Sequence, residues 1–468
     1  MEKLKGIYSS DLEQISTRLR VDESFDVIKR SIRASGQEIT FFYIDGFVKD
    51  SEMQRIMQFI MSEKTVGDAD SVLARLPYVE ISVSDDCDMI VGAVLSGQTV
   101  MLATSFGSRA VLIDVRTYPA RGTAEPDTDR VMQGARDGFV ETLIMNTALI
   151  RRRIRDPRLT MTHVSVGTES RTDVVICYMQ GVANPKLVSE IEEKIRKIKP
   201  KSLTLGYRSL SESLIRRGWL NPFPKVRTTE RPDTAAAQVL EGSVLVICDT
   251  TPQVMILPTS IFDYLSQADD YYFPPLTGSY LRVVRVLILL LSMIATPLWY
   301  LYLEYAEVLP DALRFLLPDD PGALPIILQL FLVEIAIDGL KIASMNTPDM
   351  LSNSLSIVGA LILGDFAVAV GWLCPDVILY MAFVAIATFA QQNAELSYAI
   401  KFVRLITLFS VWVIGIWGLA VGGAVLVFLL LENRGVGDKR RYLYPLIPFH
   451  PKALLRLLIR TKKRDFEK

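Results

Sequence analysis

The sequence predicts an α/β soluble head of two similar subdomains followed by an all-α multi-pass membrane domain. Composition is the first observation: the 468 residues are 50% hydrophobic with a mean hydropathy of +0.29, yet most charges precede residue 270. Long apolar runs, scarce in charge, occupy residues 271–431. Within the first 270 residues, short β-rich runs alternate with segments of helical periodicity. The chain therefore combines two chemically different halves.

The first subdomain is predicted over residues 1–136. Its opening stretch, up to about Gly36, has apolar residues spaced by three and four and is predicted to be helical. Ile39–Ile44 is β-branched and aromatic, and Ser51–Met61 has helical spacing, so the two predict a βα unit. A β-hairpin is predicted further on, within Val94–Thr117.

The second subdomain, predicted over residues 137–270, repeats this order of elements. Asp173–Met179 is a predicted strand, and Lys186–Ile198 is the helix after it. Val239–Ser260 parallels Val94–Thr117, because each begins with a Leu-x-Gly helix end and continues as two β-rich runs. Two similar α/β subdomains are therefore expected in the head.

A helix predicted over Gly138–Arg155 joins the two subdomains and ends in a basic cluster. The cluster consists of Arg151, Arg152, Arg153, Arg155 and Arg158. Basic residues near a helix carboxyl end interact favourably with the helix dipole, and arginine also binds carboxylates and phosphates through paired hydrogen bonds. Two interpretations stay open: contact with acidic lipid headgroups or an acidic neighbouring subunit, and a solvated or intramolecular role.

The membrane domain is predicted over residues 271–431, with four or five hydrophobic segments. The segments are Val286–Leu303, Leu324–Ile337, Leu355–Trp372, Val377–Ala390 and Leu405–Leu431. The first lacks any charged residue over 18 positions, which is close to the length that crosses a bilayer core. Leu405–Leu431 is long enough to cross as a single tilted helix.

Charges beside these segments predict the orientation of the chain. Arg282 and Arg285 precede the first segment, and residues 432–468 form a basic tail, so both head and tail are expected in the cytoplasm. Five crossings would contradict that arrangement, since an even number is required. We therefore expect one segment, either Leu324–Ile342 or Val377–Ala390, to be re-entrant or broken.

Four acidic residues inside or beside the apolar segments are candidates for an ion path. They are Asp365, Glu334, Asp338 and Glu395. Acids inside a membrane bundle line ion paths or pair with internal bases. Pairing is open to Asp338, which has Lys341 three residues on, and to Glu395 in a segment with basic neighbours, whereas Asp365 has no base nearby in sequence. Gly422 and Gly423 fit close helix packing.

Other functional classes have little support in the composition. The formal net charge of −1 disfavours nucleic-acid binding. Four cysteines lack a CxxC spacing, only two histidines are present, and no Walker A, GxGxxG or GxSxG motif occurs. We expect no enzymatic activity, no metal and no cofactor.

Several sequence stretches together resemble the spore germinant receptor A-subunit (GerA) family over essentially the whole chain. They are RDGFVETLIMNTALIRRRIRDPRL from Arg136, MQGVANPKLVSEI from Met179, TTERPDTAAAQVLEGSVLVICDTTP from Thr228, DYYFPPLTGSYLR from Asp270 and SLSIVGALILGDFAV from Ser354. Receptor A subunits tend to carry Gly-Gln where this chain has Gly364-Asp365, a departure that suits an accessory paralogue.

The resemblance implies a multi-pass protein of the spore inner membrane that acts in germination. It implies an oligomeric ion channel subunit that releases monovalent cations from the spore core or amplifies the germinant receptor response. The alternative is a membrane-anchored scaffold that organises germination receptors without conducting ions. Expected partners are further copies of the chain, other germination membrane proteins and membrane lipid. A secondary transporter would require an inverted repeat, which the membrane half lacks.

Overall fold

The computed structural model describes two compact units that alternate along the chain. It covers residues 2–118, 132–198, 200–215, 220–267, 269–308, 311–346, 359, 366–391, 393–433, 435–436 and 442–459. The first unit, called the head here, comprises Met1–Arg217, Val226–Thr259 and Gly435–Arg441. The second, called the apolar unit, comprises Gly218–Lys225, Ser260–Arg434 and Tyr442–Lys468.

The head contains one succession of elements twice. The first copy is α1 (Tyr8–Leu19), β1 (Val27–Ala34), β2 (Gln37–Ile44), α2 (Asp50–Ser62), α3 (Ala69–Arg75), β3 (Ile81–Ser84), α4 (Cys87–Leu95), β4 (Thr99–Ala103) and β5 (Ala110–Ile113). The second copy is α5 (Leu143–Arg153), β6 (Leu159–Val166), β7 (Thr172–Met179), α6 (Pro185–Lys197), α7 (Tyr207–Leu214), β8 (Arg227–Thr229), α8 (Pro232–Leu240), β9 (Val244–Cys248) and β10 (Val254–Leu257).

Strand pairing confirms the predicted duplication. The first sheet has the order β1-β2-β4-β5-β3 and the second the order β6-β7-β9-β10-β8, with antiparallel pairing throughout. When the strands of the second copy are renumbered from one, the two orders are identical. The head therefore consists of two similar α/β subdomains.

Both faces of each sheet are buried under helices. In the first subdomain, Ile15 of α1 and Ile90 of α4 pack on one face, and Ile56 of α2 packs on the other. In the second subdomain, Ile191 of α6 packs on one face and Ala235 of α8 on the other. Because apolar side chains leave both faces, the central strands appear in the sequence as continuous apolar runs, such as DVVICYM, without strand alternation.

The first strand corrects the prediction that the opening 36 residues are helical. The helix α1 ends at Leu19, and β1 pairs along its whole length with β2, from Val27 opposite Ile44 to Ala34 opposite Gln37. The connecting residues Ser35 and Gly36 have φ angles of 53° and 76°. A two-residue turn with both φ angles positive matches the twist of a hairpin, so Ser35-Gly36 was the sequence signal for this strand pair.

A buried ion pair joins the two subdomains within the head. Arg151, in α5 of the second subdomain, donates to both carboxylate oxygens of Asp26, just before β1, at 2.7 and 2.9 Å. Both side chains are 1% exposed. Arg151 also donates to the carbonyl oxygens of Asp156 and Leu159, and Ser24 donates to Asp26. The guanidinium is thus satisfied inside the protein.

We predict that Arg151→Ala lowers the free energy of unfolding of the head by about 3–5 kcal/mol, because Asp26 remains buried without its cation. Arg158→Ala is the matched control, since the Arg158–Asp156 pair is exposed and contributes about 0–1 kcal/mol. Thermal unfolding of the full chain in detergent measures both. Equal thermal midpoints for the two variants would show that the buried pair stabilises the head no more than the exposed pair does. The double variant Asp26→Leu/Arg151→Met is expected to recover stability, because it leaves no buried charge without a partner.

The apolar unit is helical. Among its described residues, the α-helices are α9 (Asp269–Tyr272), α10 (Pro275–Glu304), α11 (Ile326–Asn346), α12 (Ala367–Ala369), α13 (Pro375–Phe389), α14 (Ala394–Ile414), α15 (Trp417–Glu432) and α16 (Pro451–Leu458). Helices α10 and α14 are long and apolar enough to cross a membrane, and α13 and α15 are shorter apolar helices. Side chains of α10, α11, α13 and α14 share one apolar core, which includes Trp299 and Met381.

The segment predicted as one long span over Leu405–Leu431 is instead a helical hairpin. Gly415, with a φ of 58°, ends α14, and α15 folds back against it. A Cβ atom on Gly418 would lie 2.2 Å from the Val411 nitrogen, and one on Gly422 would lie 2.1 Å from Thr407 Oγ1. Only glycine allows this approach, so the single-span prediction is wrong and the close packing expected at Gly422 is observed.

Candidate functional site

Four charged side chains form a buried network between α11 and α14 in the apolar unit. Arg404 Nη2 donates to Glu334 Oε1 at 2.7 Å, and Arg404 Nη1 donates to the Ser292 carbonyl oxygen of α10 at 3.2 Å. Lys401 Nζ lies 3.0 Å from the same Glu334 oxygen and also pairs with Asp338. Charges removed from water this far are stable only beside opposite charges, which the network supplies on both sides.

Helical spacing explains how two helices align these residues. Glu334 and Asp338 are four residues apart on α11, whereas Lys401 and Arg404 are three residues apart on α14. Both spacings place two side chains on the same helix face. A stripe of acids on one helix therefore faces a stripe of bases on another, and the ion pairs set the register between them.

The network has a closed end and an open end. At the closed end the side chains of Arg404 and Glu334 are 2% and 8% exposed. At the open end the side chain of Asp338 is 35% exposed. A cavity of about 20 Å³ lies beside Asp338; its lining includes Lys341, Lys401 and Thr388 of α13, and it also reaches Glu334. That volume accommodates about one water molecule.

Sequence reasoning found the acids of this network but assigned one partner differently. Asp338 was expected to pair with Lys341, three residues further on. In the structure Asp338 pairs with Lys401, and the Lys341 ammonium lies 4.8 Å from the centre of the Tyr398 ring. The sequence did not identify Lys401 and Arg404 as the partners of these acids, because a base can pair with them only if it lies on a helix that faces α11. Asp365 lies outside the described residues.

Glu395 lies elsewhere, where α14 begins and α15 ends, at the end of the α14–α15 hairpin opposite its turn. It lies in the first turn of α14 and is half-buried. Lys225 approaches this end of the hairpin and donates to Asn433 Oδ1 at 2.7 Å. Burial lowers the pKa of the Lys225 ammonium, an effect that the nearby carboxylates of Glu432 and Glu395 oppose. Glu395 therefore belongs to a separate polar cluster from Glu334 and Asp338.

Residues from two distant parts of the chain close this hairpin end. Asn221 donates to the Leu429 carbonyl oxygen at 2.6 Å, and Asn433 and Tyr442 donate to the Pro224 carbonyl oxygen at 3.1 and 2.9 Å. Phe223 and Tyr442 pack into an apolar core with Leu396 of α14. Sequence reasoning missed this closure, because its members are more than 200 residues apart along the chain.

The basic cluster of the head divides into buried and exposed members. Arg151 is enclosed with Asp26, which corrects the proposed headgroup or partner contact for this residue to an internal role. Arg153 pairs with Asp137 at 2.7 Å, and Arg152 lies over the Tyr118 ring, 4.6 Å from its centre. The exposed remainder consists of Arg152, Arg155 and Arg158. A hydrogen bond from Arg158 holds the pKa of Asp156 below its ordinary value.

The fold and the charge network define a class of protein: a head of two duplicated α/β subdomains joined to an apolar helical unit with internal ion pairs. The profile of the family described as "Bacillus/Clostridium GerA spore germination protein" matches residues 13–468. The chain belongs to this GerA family, as its sequence motifs indicated. It is a spore germination and sporulation protein of that family.

Similarity to individual proteins is as follows, and the first relative supports the same assignment. The chain is 38% identical to stage V sporulation protein AF of Bacillus subtilis (strain 168), with 96% of this chain and 92% of that protein covered. It is 28% identical to the uncharacterized membrane protein YfkQ of the same organism, with 90% and 82% covered. The crystal structure of the N-terminal domain of the A subunit of the Bacillus megaterium spore germinant receptor GerK3 matches with 23% identity and a TM-score of 0.41, over 55% of this chain and 96% of that domain.

We predict that Glu334→Gln destabilises the apolar unit by about 3–5 kcal/mol, because the buried Arg404 loses its carboxylate. Asp338→Asn is the matched comparison and is expected to lower the stability much less. Asp338 is partly exposed, and without it Lys401 still has its ion pair with Glu334. The thermal midpoint of the purified full chain measures both effects. If the two substitutions lowered the thermal midpoint equally, the stabilising role assigned to the buried Glu334–Arg404 pair would be wrong.

Proposed function

We propose that this protein is an oligomeric ion-conducting subunit of the spore inner membrane, with head and tail in the cytoplasm. In germination it releases monovalent cations from the spore core or amplifies the response of germinant receptors. The proposal gives it no enzymatic activity. Family membership supports the biological setting, and the relative named a membrane protein supports the location.

The number of apolar segments supports the proposed topology. Division of Leu405–Leu431 into α14 and α15 raises the number of apolar segments from five to six, with Leu355–Trp372, which lies mostly outside the described residues, counted from the sequence alone. An even number brings head and tail to the same side without a re-entrant segment. Arg282 and Arg285 at the start of α10 favour the cytoplasm for that side.

The observation that carries the ion-conducting proposal is the charge network of Glu334, Asp338, Lys401 and Arg404. Ionisable residues within apolar helices are costly, and where they occur they commonly serve ion paths or gates. The open end of the network combines a partly exposed carboxylate with a water-sized cavity, as an ion path requires. In a homo-oligomer each copy would contribute one Asp338, and the closed end would hold the helices in register.

A scaffold role is the second candidate, and one observation favours it. Both acids of the network have basic partners, so their charges are compensated within the same chain. A compensated network can act purely as a structural element that holds three helices together. The protein would then organise other germination membrane proteins, and ions would pass elsewhere.

We predict that Asp338→Asn slows cation release from germinating spores while the protein accumulates normally. Loss of about 1.4 kcal/mol of electrostatic stabilisation for a passing cation would slow its flux about tenfold. The measurement is potassium release after germinant addition, in spores that carry the variant at wild-type protein level.

Asp319→Asn is the matched control, since it removes the same charge from an exposed loop residue of the same unit. A deletion strain gives the full effect of losing the protein. If the deletion slows release while Asp338→Asn releases potassium at the wild-type rate, Asp338 is not on the ion path and the scaffold function replaces the channel.

A further inference from the structure

The segment that follows the α14–α15 hairpin presents a row of apolar side chains to its surroundings. These side chains are between 40% and 66% exposed and belong to Tyr444, Leu446, Ile447, Phe449, Leu455 and Ile459. Two of them, Leu455 and Ile459, lie on or directly after α16. An exposed apolar surface of this kind marks contact with a partner or a membrane.

The same segment lies beside the first turns of α10. Arg282 Nη1, in the third turn of that helix, donates to the Leu457 carbonyl oxygen at 3.5 Å. The start of α10 and the residues before it carry a second exposed apolar and aromatic set, which consists of Tyr271, Tyr272, Leu276, Tyr280 and Val283. We call the two sets together the interfacial patch.

The length of α10 places the interfacial patch at a defined depth. Its 30 residues extend for about 45 Å, whereas a bilayer hydrocarbon core is about 30 Å thick. The uncharged residues Val286–Leu303 match the core, so the first turns of α10 fall at the level of the lipid headgroups. Tyrosine is enriched at that level, because its ring is apolar and its hydroxyl stays hydrated.

Charge selects the kind of surface that the patch fits. Residues 443–464 contain no aspartate or glutamate. They contain six basic residues: Lys452, Arg456, Arg460, Lys462, Lys463 and Arg464. Two copies of such a segment would repel each other, whereas an anionic leaflet attracts it. Basic charge next to exposed apolar side chains is the composition of helices that lie in the membrane interface.

We propose that residues 443–459 form an interfacial anchor that binds the anionic phospholipid headgroups of the leaflet where α10 begins. The inference rests on the proposed membrane location of the apolar unit and is independent of ion conduction. Apolar side chains of the anchor enter the headgroup region, and the basic charge that the sequence carries within and directly after residues 443–459 attracts the anionic leaflet. Through the Arg282–Leu457 hydrogen bond, the anchor fixes the depth of α10.

The test uses the full chain in nanodiscs, with a single cysteine introduced at Leu455 and labelled with a polarity-sensitive fluorophore. The native cysteines Cys87, Cys177, Cys248 and Cys374 are buried, and burial raises the pKa of Cys177 and Cys248 to about 12, so they react slowly with the label. Labels at Leu290, mid-way along α10, and at Ser189, exposed on the head, are the membrane and water controls.

Quenching by a lipid-borne nitroxide is compared with quenching by aqueous iodide. In discs containing phosphatidylglycerol, we expect the Leu455 label to be quenched by a nitroxide carried near the lipid headgroups and to be shielded from iodide relative to the Ser189 label. In discs of phosphatidylcholine alone, or with Arg460→Gln/Lys462→Gln/Lys463→Gln, we expect weaker lipid quenching. Each basic residue near an anionic leaflet is worth about a fivefold change in partitioning.

Three results would overturn the anchor. If the Leu455 label is quenched by iodide as strongly as the Ser189 label in both lipids, the segment is in water. If neither quencher reaches it, protein covers it, and a second copy or a subunit is the occupant. If lipid reaches Leu455 equally in both lipids, charge does not select the surface. If the Leu290 label is still quenched by lipid, the proposed membrane location stands even when the anchor fails. If the Leu290 label is not quenched by lipid, both proposals fail.

Discussion

An ionised guanidinium among apolar helices is the constraint on which the apolar unit depends. Arg404 is almost fully enclosed, so its cost of desolvation must be met by Glu334 and by the carbonyl oxygen of Ser292. These two contacts reach α11 and α10, respectively. A single residue of α14 therefore sets the register of three helices. Apolar side chains of the same core, such as Val333 and Met381, fill space that other side chains of similar volume could fill.

The head follows the same physical rule in a different setting. Each subdomain has its own doubly covered sheet, and an enclosed arginine makes a buried ionic connection between the two copies. Arg151 is satisfied by Asp26 and by two backbone carbonyl groups, so it specifies one arrangement of the subdomains within the head. In both units, an apolar core supplies the stabilising burial, and a buried ion pair selects one geometry among those that the core would allow.

The charged residues of the apolar unit differ in how far they are enclosed, and this difference distinguishes those with a structural role from those with the proposed function. Arg404 is closed off and Glu334 is nearly so, whereas Asp338 is partly exposed; Glu334, Asp338 and Lys401 border a small cavity. The hairpin end near Lys225 is closed by chain segments more than 200 residues apart, with Glu395 and Glu432 as nearby counter-charges. Acids that look alike in the sequence thus have different roles, since only their neighbours in space determine whether a carboxylate is locked or accessible.

The sequence by itself determined the two-part composition, the duplicated order of elements in the head, the family motifs and the acids Glu334 and Asp338. These properties are local, because apolar periodicity, turn residues and isolated charges within apolar runs can be recognised in a short stretch of sequence. The strand β1 escaped recognition, since an edge strand with as many polar as apolar residues is defined by its pairing with β2 and by the Ser35-Gly36 turn. The hairpin at Gly415 escaped because a glycine inside an apolar run does not reveal whether the helix continues. The partners of Asp338 and Arg151 were decided only by the tertiary structure, because an ion pair depends on distances between helices and loops that sequence separation does not encode.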